Sequence, residues 1–194
     1  MADKGSSDDT AIAAKSRSQP STDLPAKIAA IANDSNYVFL PKEHIWGNEE
    51  YGLSSGRSDT IKDFVFADVD QSEKYEVFQL YGHKDKSHTV AYIYFGAALC
   101  GGQGVVHGGC IATMFDELLG MTFVWTLGRG GVTVTLTVNY RRRFKANQAG
   151  VFFLYLVKAE GRKGFFKGRL EDRDGNVCAD ATGLFVTPDI PSKL

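Results

Sequence analysis

Apolar and polar residues alternate most strictly along residues 132–140, where Val132, Val134, Leu136, Val138 and Tyr140 interleave with Thr133, Thr135, Thr137 and Asn139. Successive side chains of a strand point to opposite faces, so this run predicts a strand with one apolar and one hydroxyl-lined face. Residues 75–81 and 89–96 (TVAYIYFG) concentrate β-branched and aromatic side chains and predict two earlier strands. Downstream, VFFLYLVK and FFKGRLEDR are parted by residues 160–164, and the Asp174-Gly175 turn leads into NVCADATGLFV. Between the two sets, Ile111, Met114, Phe115, Leu118, Leu119 and Thr122 recur at helical spacing. They predict one long, mostly buried helix over 107–127, entered from the glycine-rich 101–104 and left through 128–131.

Two strands, one helix and four strands supply no crossover helices for a parallel sheet. An antiparallel sheet of about six strands wrapped around the helix is the economical α+β solution. The pattern fades before residue 75. Residues 1–24 are small and polar and predict a disordered tail. A short helix is expected from Pro25 to about Asn33, with Ile28 and Ile31 on one side; beyond it only a weak strand at 61–67 can be placed. The expected organisation is a tail over 1–24, an extension over 25–74, a domain over 75–187 and a tail over 188–194.

The chain has 194 residues, enough for one full-sized domain, and its 43% hydrophobic and 23% charged residues suit a globular protein. The net charge of −1 balances 22 basic against 23 acidic residues, so no global field favours nucleic acid or acidic lipid, and any anion site must be local. Cys100, Cys110 and Cys178 suggest neither a disulfide framework nor a zinc site, and a reducing compartment is expected. The first residues mix Asp with Lys and lack the apolar stretch of a secretory signal. A cytoplasmic location is expected, with a mitochondrial one as the alternative. Residues 87–115 contain no Asp, Glu, Lys or Arg, but glycines interrupt them, and no membrane span is expected. His44, His83, His88 and His107 are scattered, so no metal and no cofactor is expected. Gly52-Leu53-Ser54-Ser55-Gly56 matches a nucleophile elbow without its strand and helix, and Gly102-Gln103-Gly104 has His107 where a dinucleotide fingerprint needs glycine.

His107-Gly108-Gly109 at the head of the long helix, with Asp116 inside it, is the pattern that carries chemistry. Two glycines in a first turn weaken a helix by roughly 1 kcal/mol each relative to Ala. A bare backbone at the positive end of a helix offers N–H groups to an anion or a developing oxyanion; the alternative is a connector that needs unusual backbone angles. A carboxylate in an apolar helix is costly unless paired, solvated or working; a core Asp bonded to a Thr or a neighbouring strand is the other reading. Gly109, Ala112, Thr113, Asp116 and Gly120 share one small-residue side of the helix. Gly109 and Asp116 lie about 10 Å apart along the axis at ~1.5 Å per residue, so two antiparallel copies would be needed to bring one of each to a single carbonyl. A homodimer is expected on this ground.

The run VVHGGCIATMFDELLG, followed by VTVTLTVNYRRR and AEGRKGFF, resembles the hotdog-fold acyl-CoA thioesterases of the PaaI-like branch, over about residues 75–187. The resemblance implies hydrolysis of acyl-CoA to free acid and CoA by a homodimer, or a dimer of dimers. It assigns the Gly109 N–H to the thioester oxygen, His107 to shaping that pocket, and Asp116 of the other subunit to the role of general base or nucleophile. Thr133 is the threonine that would orient water, with Thr135 as the fallback. CoA contacts fall on Asn139, Arg141, Arg162 and Lys163, and the Arg141, Arg142, Arg143 and Lys145 cluster supplies the local charge that phosphates require. The family's usual proline after these basic residues is replaced here by Arg142-Arg143-Phe144. A non-catalytic acyl-CoA-binding module is the alternative, for which an apolar or amide residue would be expected at position 116. A hydratase would want an Asp where this chain has Gly102.

Overall fold

The computed structural model describes residues 26–41 and 74–189. The tail expected over 1–24, the strand expected at 61–67 and the Gly52-to-Gly56 pattern lie outside the described residues. Helix α1 (Ala26–Asn33) and strand β1 (Tyr37–Phe39) precede β2 (Tyr75–His83) and β3 (His88–Phe95). A ribbon of β4 (Cys100–Gly102) and β5 (Val105–Val106) leads to α2 (Gly108–Leu127), and β6 (Val132–Tyr140), β7 (Gln148–Glu160), β8 (Lys163–Glu171) and β9 (Val177–Val186) complete the domain. The main sheet runs β1-β2-β3-β7-β8-β9-β6, with antiparallel neighbours throughout. The six expected strands are joined by a seventh, β1, which pairs with the outer edge of β2 through Tyr37↔His83 and Phe39↔Tyr81. Three residues are too few to show a period in sequence.

Helix α2 lies across one face of this sheet and fills the domain. Met114, Phe115, Leu118, Leu119 and Phe123 are fully buried, and they meet Phe95, Phe152, Phe166 and Phe185 from the strands. Burying each such side chain is worth roughly 1.5–3 kcal/mol. The helix approaches closely because strand glycines leave space: a Cβ on Gly168 would sit 2.9 Å from Leu154 and 3.2 Å from Phe115, and one on Gly183 would sit 3.2 Å from Leu119. By composition alone α2 could cross a membrane, with 20 residues at mean hydropathy 1.3; here its large apolar side chains are buried against the sheet. Its buried hydroxyl is satisfied, since Thr122 donates to the Leu118 carbonyl at 2.7 Å and meets Thr89 at 2.6 Å.

The opposite face of the sheet carries a smaller cluster in which Ile28 of α1 packs with Tyr81, Val90 and Val151. An ion pair clamps it. Glu171, only 6% exposed, receives Lys27 from α1 at 2.6 Å and Arg169 at 2.7 Å. Burial pushes the Glu171 carboxyl up, but the hydrogen bonds from Lys27 and Arg169 outweigh it and hold the group below its ordinary value of 4.5. A carboxylate depressed in the folded state stabilises above its unfolded pKa, and that contribution is lost as pH falls through the folded pKa. Urea denaturation should therefore show stability falling more steeply below about pH 4.5 in the wild type than in Glu171→Gln. At pH 7 the substitution should cost about 1–3 kcal/mol, because it leaves two cationic donors with a poorer acceptor.

Candidate active site

Helix α2 opens at His107, whose extended backbone (φ −61°, ψ 134°) makes it the N-cap. Its own N–H donates to the Leu99 carbonyl at 2.8 Å, and Val106 N–H donates to Phe144 O at 2.9 Å, so the turn before β4 holds the helix head and β5 is tied to the connection between β6 and β7. Gly108 and Gly109 are absent from the residues with positive φ. Their need for glycine is steric instead. A Cβ on Gly108 would lie 3.1 Å from the Tyr140 ring, and one on Gly109 would lie 2.9 Å from His107 Nδ1. Tyr140 uses the approach to donate from its hydroxyl to Gly108 O at 2.7 Å. The reading in which these glycines serve unusual backbone angles is therefore set aside for Gly108 and Gly109.

The Gly109 N–H, expected to face a ligand, already has a partner. It donates to Nδ1 of His107 at 3.0 Å, and both residues are exposed. A ligand oxygen at this N–H must replace or share the imidazole.

Asp116 lies on the stripe with Gly109, Ala112, Thr113 and Gly120, all of it at least partly exposed, beside the buried stripe of Phe115, Leu118 and Leu119. Its Oδ1 accepts a hydrogen bond from Thr133 Oγ1 at 2.8 Å. A bulge explains why a threonine reaches it. Register shifts between Thr133 and Thr135: Thr133 is opposite the buried Phe185, on the helix side, whereas Thr135 is opposite Leu184 on the outer face. The expectation that Thr133 and Thr135 share a face is corrected by this extra residue, and so is the strict division of the strand into an apolar and a hydroxyl face. Past the bulge, Leu136, Val138 and Tyr140 face the helix side opposite Gly183, Ala181 and Ala179. Among the described residues, β6 is an edge of the sheet with no strand on its outer flank. Val132, Val134 and Tyr140 are 48%, 54% and 53% exposed there.

The expected CoA contacts fall into two groups. Asn139 and Arg141 sit together at the end of β6, where Asn139 donates to Asp180 Oδ1 at 2.9 Å and Arg141 pairs with the other oxygen. Each partner shifts the other: the Arg141 hydrogen bond leads in holding Asp180 below the usual carboxylate range, and Asp180 raises Arg141. Arg162 and the exposed Lys163 lie at the β7–β8 turn, where Arg162 donates to Thr187 O at 3.0 Å and pairs with Asp189 at 2.9 Å. The two groups flank opposite ends of β9, since Asn139 pairs with Asp180 and Lys163 with Val186. At ~3.3 Å per residue they are about 20 Å apart within one chain. Sequence reasoning missed Asp180 and Asp189; Asp180 alone had a signal, as the single acid between the alanines of an alternating strand.

A family model described as the thioesterase superfamily matches residues 103–179, from the glycine connector into β9. The acyl-coenzyme A thioesterase THEM4 of Xenopus laevis is 32% identical over 108 residues, covering 55% of this chain and 48% of that protein. The chain thus spans about half the length of this relative. An uncharacterized protein of Schizosaccharomyces pombe is 29% identical over 168 residues, 83% of this chain and 94% of its own. A solved thioesterase superfamily protein superposes with a TM-score of 0.53 at 30% identity, covering 57% of this chain and 53% of the other. The helix-in-sheet architecture is the hotdog fold of the solved thioesterase superfamily protein, and residues 103–179 are similar in sequence to the thioesterase superfamily.

Proposed function

We propose that the protein hydrolyses an acyl-CoA thioester, as a homodimer with two equivalent sites. The observation that carries this reading is the Asp116 carboxylate, held by Thr133 on the open flank of α2 beside a strand edge that no other described strand pairs with. Pairing β6 with β6 of a second copy about a twofold axis would satisfy that edge and cover its exposed valines. The same operation answers two separations. It would set Gly109 of one subunit toward Asp116 of the other, and it would bring Arg141 of one subunit toward the Val132 end of its partner, where Arg162 and Lys163 lie.

In the proposed reaction the Gly109 N–H, at the positive end of α2, donates to the thioester oxygen after His107 yields. Asp116 removes a proton from water while the water oxygen bonds to the carbonyl carbon; the C–S bond then breaks and the CoA sulfur takes up the proton. Direct attack by the carboxylate, giving a mixed anhydride that water then opens, uses the same residues. The Thr133 hydroxyl donates to Asp116 and can accept from that water. Asn139, Arg141 and Arg162 would exchange their internal partners for CoA phosphates, and the exposed Lys163 would join them. The alternative, a module that binds acyl-CoA without cleaving it, is favoured by the internally capped Gly109 N–H, but it leaves the Asp116–Thr133 pair unused.

Thiol release from short, long and aromatic acyl-CoAs should show turnover, and Asp116→Asn should lower kcat by about 10² to 10⁴-fold with the unfolding midpoint little changed. Retention of most activity in that variant, or binding without release in the wild type, would return the reading to the binding module. Light scattering should report a dimer, and Val134→Lys, which places a charge on the strand edge, should shift it toward monomer with parallel loss of activity. A fully active monomer contradicts the shared site.

A further inference from the structure

Remote from the head of α2, the β2–β3 hairpin gathers side chains that the thioesterase reading does not use. His83 and His88, apparently scattered in sequence, stack with ring centroids 4.7 Å apart. One nitrogen of each and a carboxylate oxygen of Asp85 lie within 4.8 Å of one another. Asp85 and His88 meet at the Ser87 hydroxyl, and His83 joins them through Asp85: His83 Nδ1 is 2.6 Å from Asp85 Oδ1, Ser87 Oγ donates to that oxygen at 2.7 Å, and Ser87 Oγ is 2.7 Å from His88 Nδ1.

We propose that His83, Asp85 and His88 form a binding site for a borderline divalent transition-metal ion of the zinc class. Two imidazoles and one carboxylate are a donor set that suits such ions, with water completing the shell. Bonds of about 2.0–2.2 Å need donors somewhat over 3 Å apart, so seating the ion requires His83 and Asp85 to part slightly and the Ser87 hydroxyl to rotate out of the centre. The surroundings hold the ligands from behind. Tyr37 OH lies 2.8 Å from Nε2 of His88, which turns Nδ1 toward the cluster, as outer partners of ligating histidines do. Trp125 Nε1 donates to the His83 carbonyl at 3.0 Å. The nearby Lys86, at the left-handed turn position (φ 61°), directs its ammonium over the Trp125 ring at 3.0 Å. The contact with Tyr37 means that the ion would also fasten β1 to the hairpin. Because Trp125 is near the far end of a helix about 30 Å long, the site is separate from the proposed chemistry at Gly109 and Asp116.

The untagged full chain, stripped with a chelator and dialysed, should be titrated with Zn²⁺ by calorimetry and with Co²⁺ by visible absorption. One ion per chain and ligand-field bands are expected, with a rise in Tm on Zn²⁺ addition. His83→Ala, Asp85→Ala and His88→Ala should each weaken binding at least ~10-fold, and Tyr37→Phe by about 10-fold. Should a variant fold poorly, the wild type decides: its His83 and His88 imidazole resonances shift on Zn²⁺ addition. Unmoved resonances, no saturation at one ion per chain, or undiminished binding in a folded His83→Ala/His88→Ala double variant would overturn the site.

Discussion

One long helix inside one curved sheet is the constraint on which the remaining structure depends. The sheet can cover only the stripe carrying Met114, Phe115, Leu118, Leu119 and Phe123, so the stripe carrying Gly109, Thr113 and Asp116 is left with water or another surface to face it. That uncovered stripe lies beside β6, whose outer flank pairs with no strand among the described residues. Burial on one side and openness on the other thus come from the same packing. A carboxylate tolerated in an otherwise apolar helix is tolerated because the sheet does not bury it, and Thr133 donates a hydrogen bond to it.

Much of this was legible in sequence because the periods are long and clean. Residues 108–127 repeat apolar side chains at helical spacing for twenty residues, and six strands announce themselves through β-branched and aromatic runs closed by turn residues. What was not legible has a physical reason in each case. Strand β1 has three residues and owes its pairing to β2. The bulge at Thr133 to Thr135 is invisible because VTVTLTV alternates without interruption; the extra residue is imposed by pairing with β9 and with the helix, not by local composition. Likewise His83 and His88 read as scattered because four residues separate them in the chain, while the hairpin turn brings their rings into contact. Of the candidate site, the residue types were readable, but which of them meet was not.

The polar groups of the candidate site share a resting arrangement in which internal partners are already in place. Asn139 and Arg141 hold Asp180, Arg162 holds Asp189 and the Thr187 carbonyl, and Gly109 holds His107. Exposed ion pairs of this kind contribute little to stability, typically up to about 1 kcal/mol, so exchanging them for a phosphate costs little. They do keep the side chains extended from their strand ends, which limits the ordering entropy that a ligand must overcome.

The His107–Gly109 contact has a sharper consequence for the proposed reaction. An imidazole nitrogen is a good neutral acceptor, and a thioester carbonyl offers the N–H no clear advantage over it. Binding the substrate therefore leaves this N–H close to indifferent between its two partners. As water or carboxylate attacks, charge collects on the carbonyl oxygen, and a charged acceptor forms a hydrogen bond roughly twice as strong as a neutral one. Only then does the exchange favour the substrate strongly. An interaction that strengthens at the transition state and not in the ground state raises kcat and not merely affinity. A cap that competes with the substrate, which at first sight argues against catalysis at Gly109, is thus consistent with an oxyanion site whose stabilisation arrives with the charge.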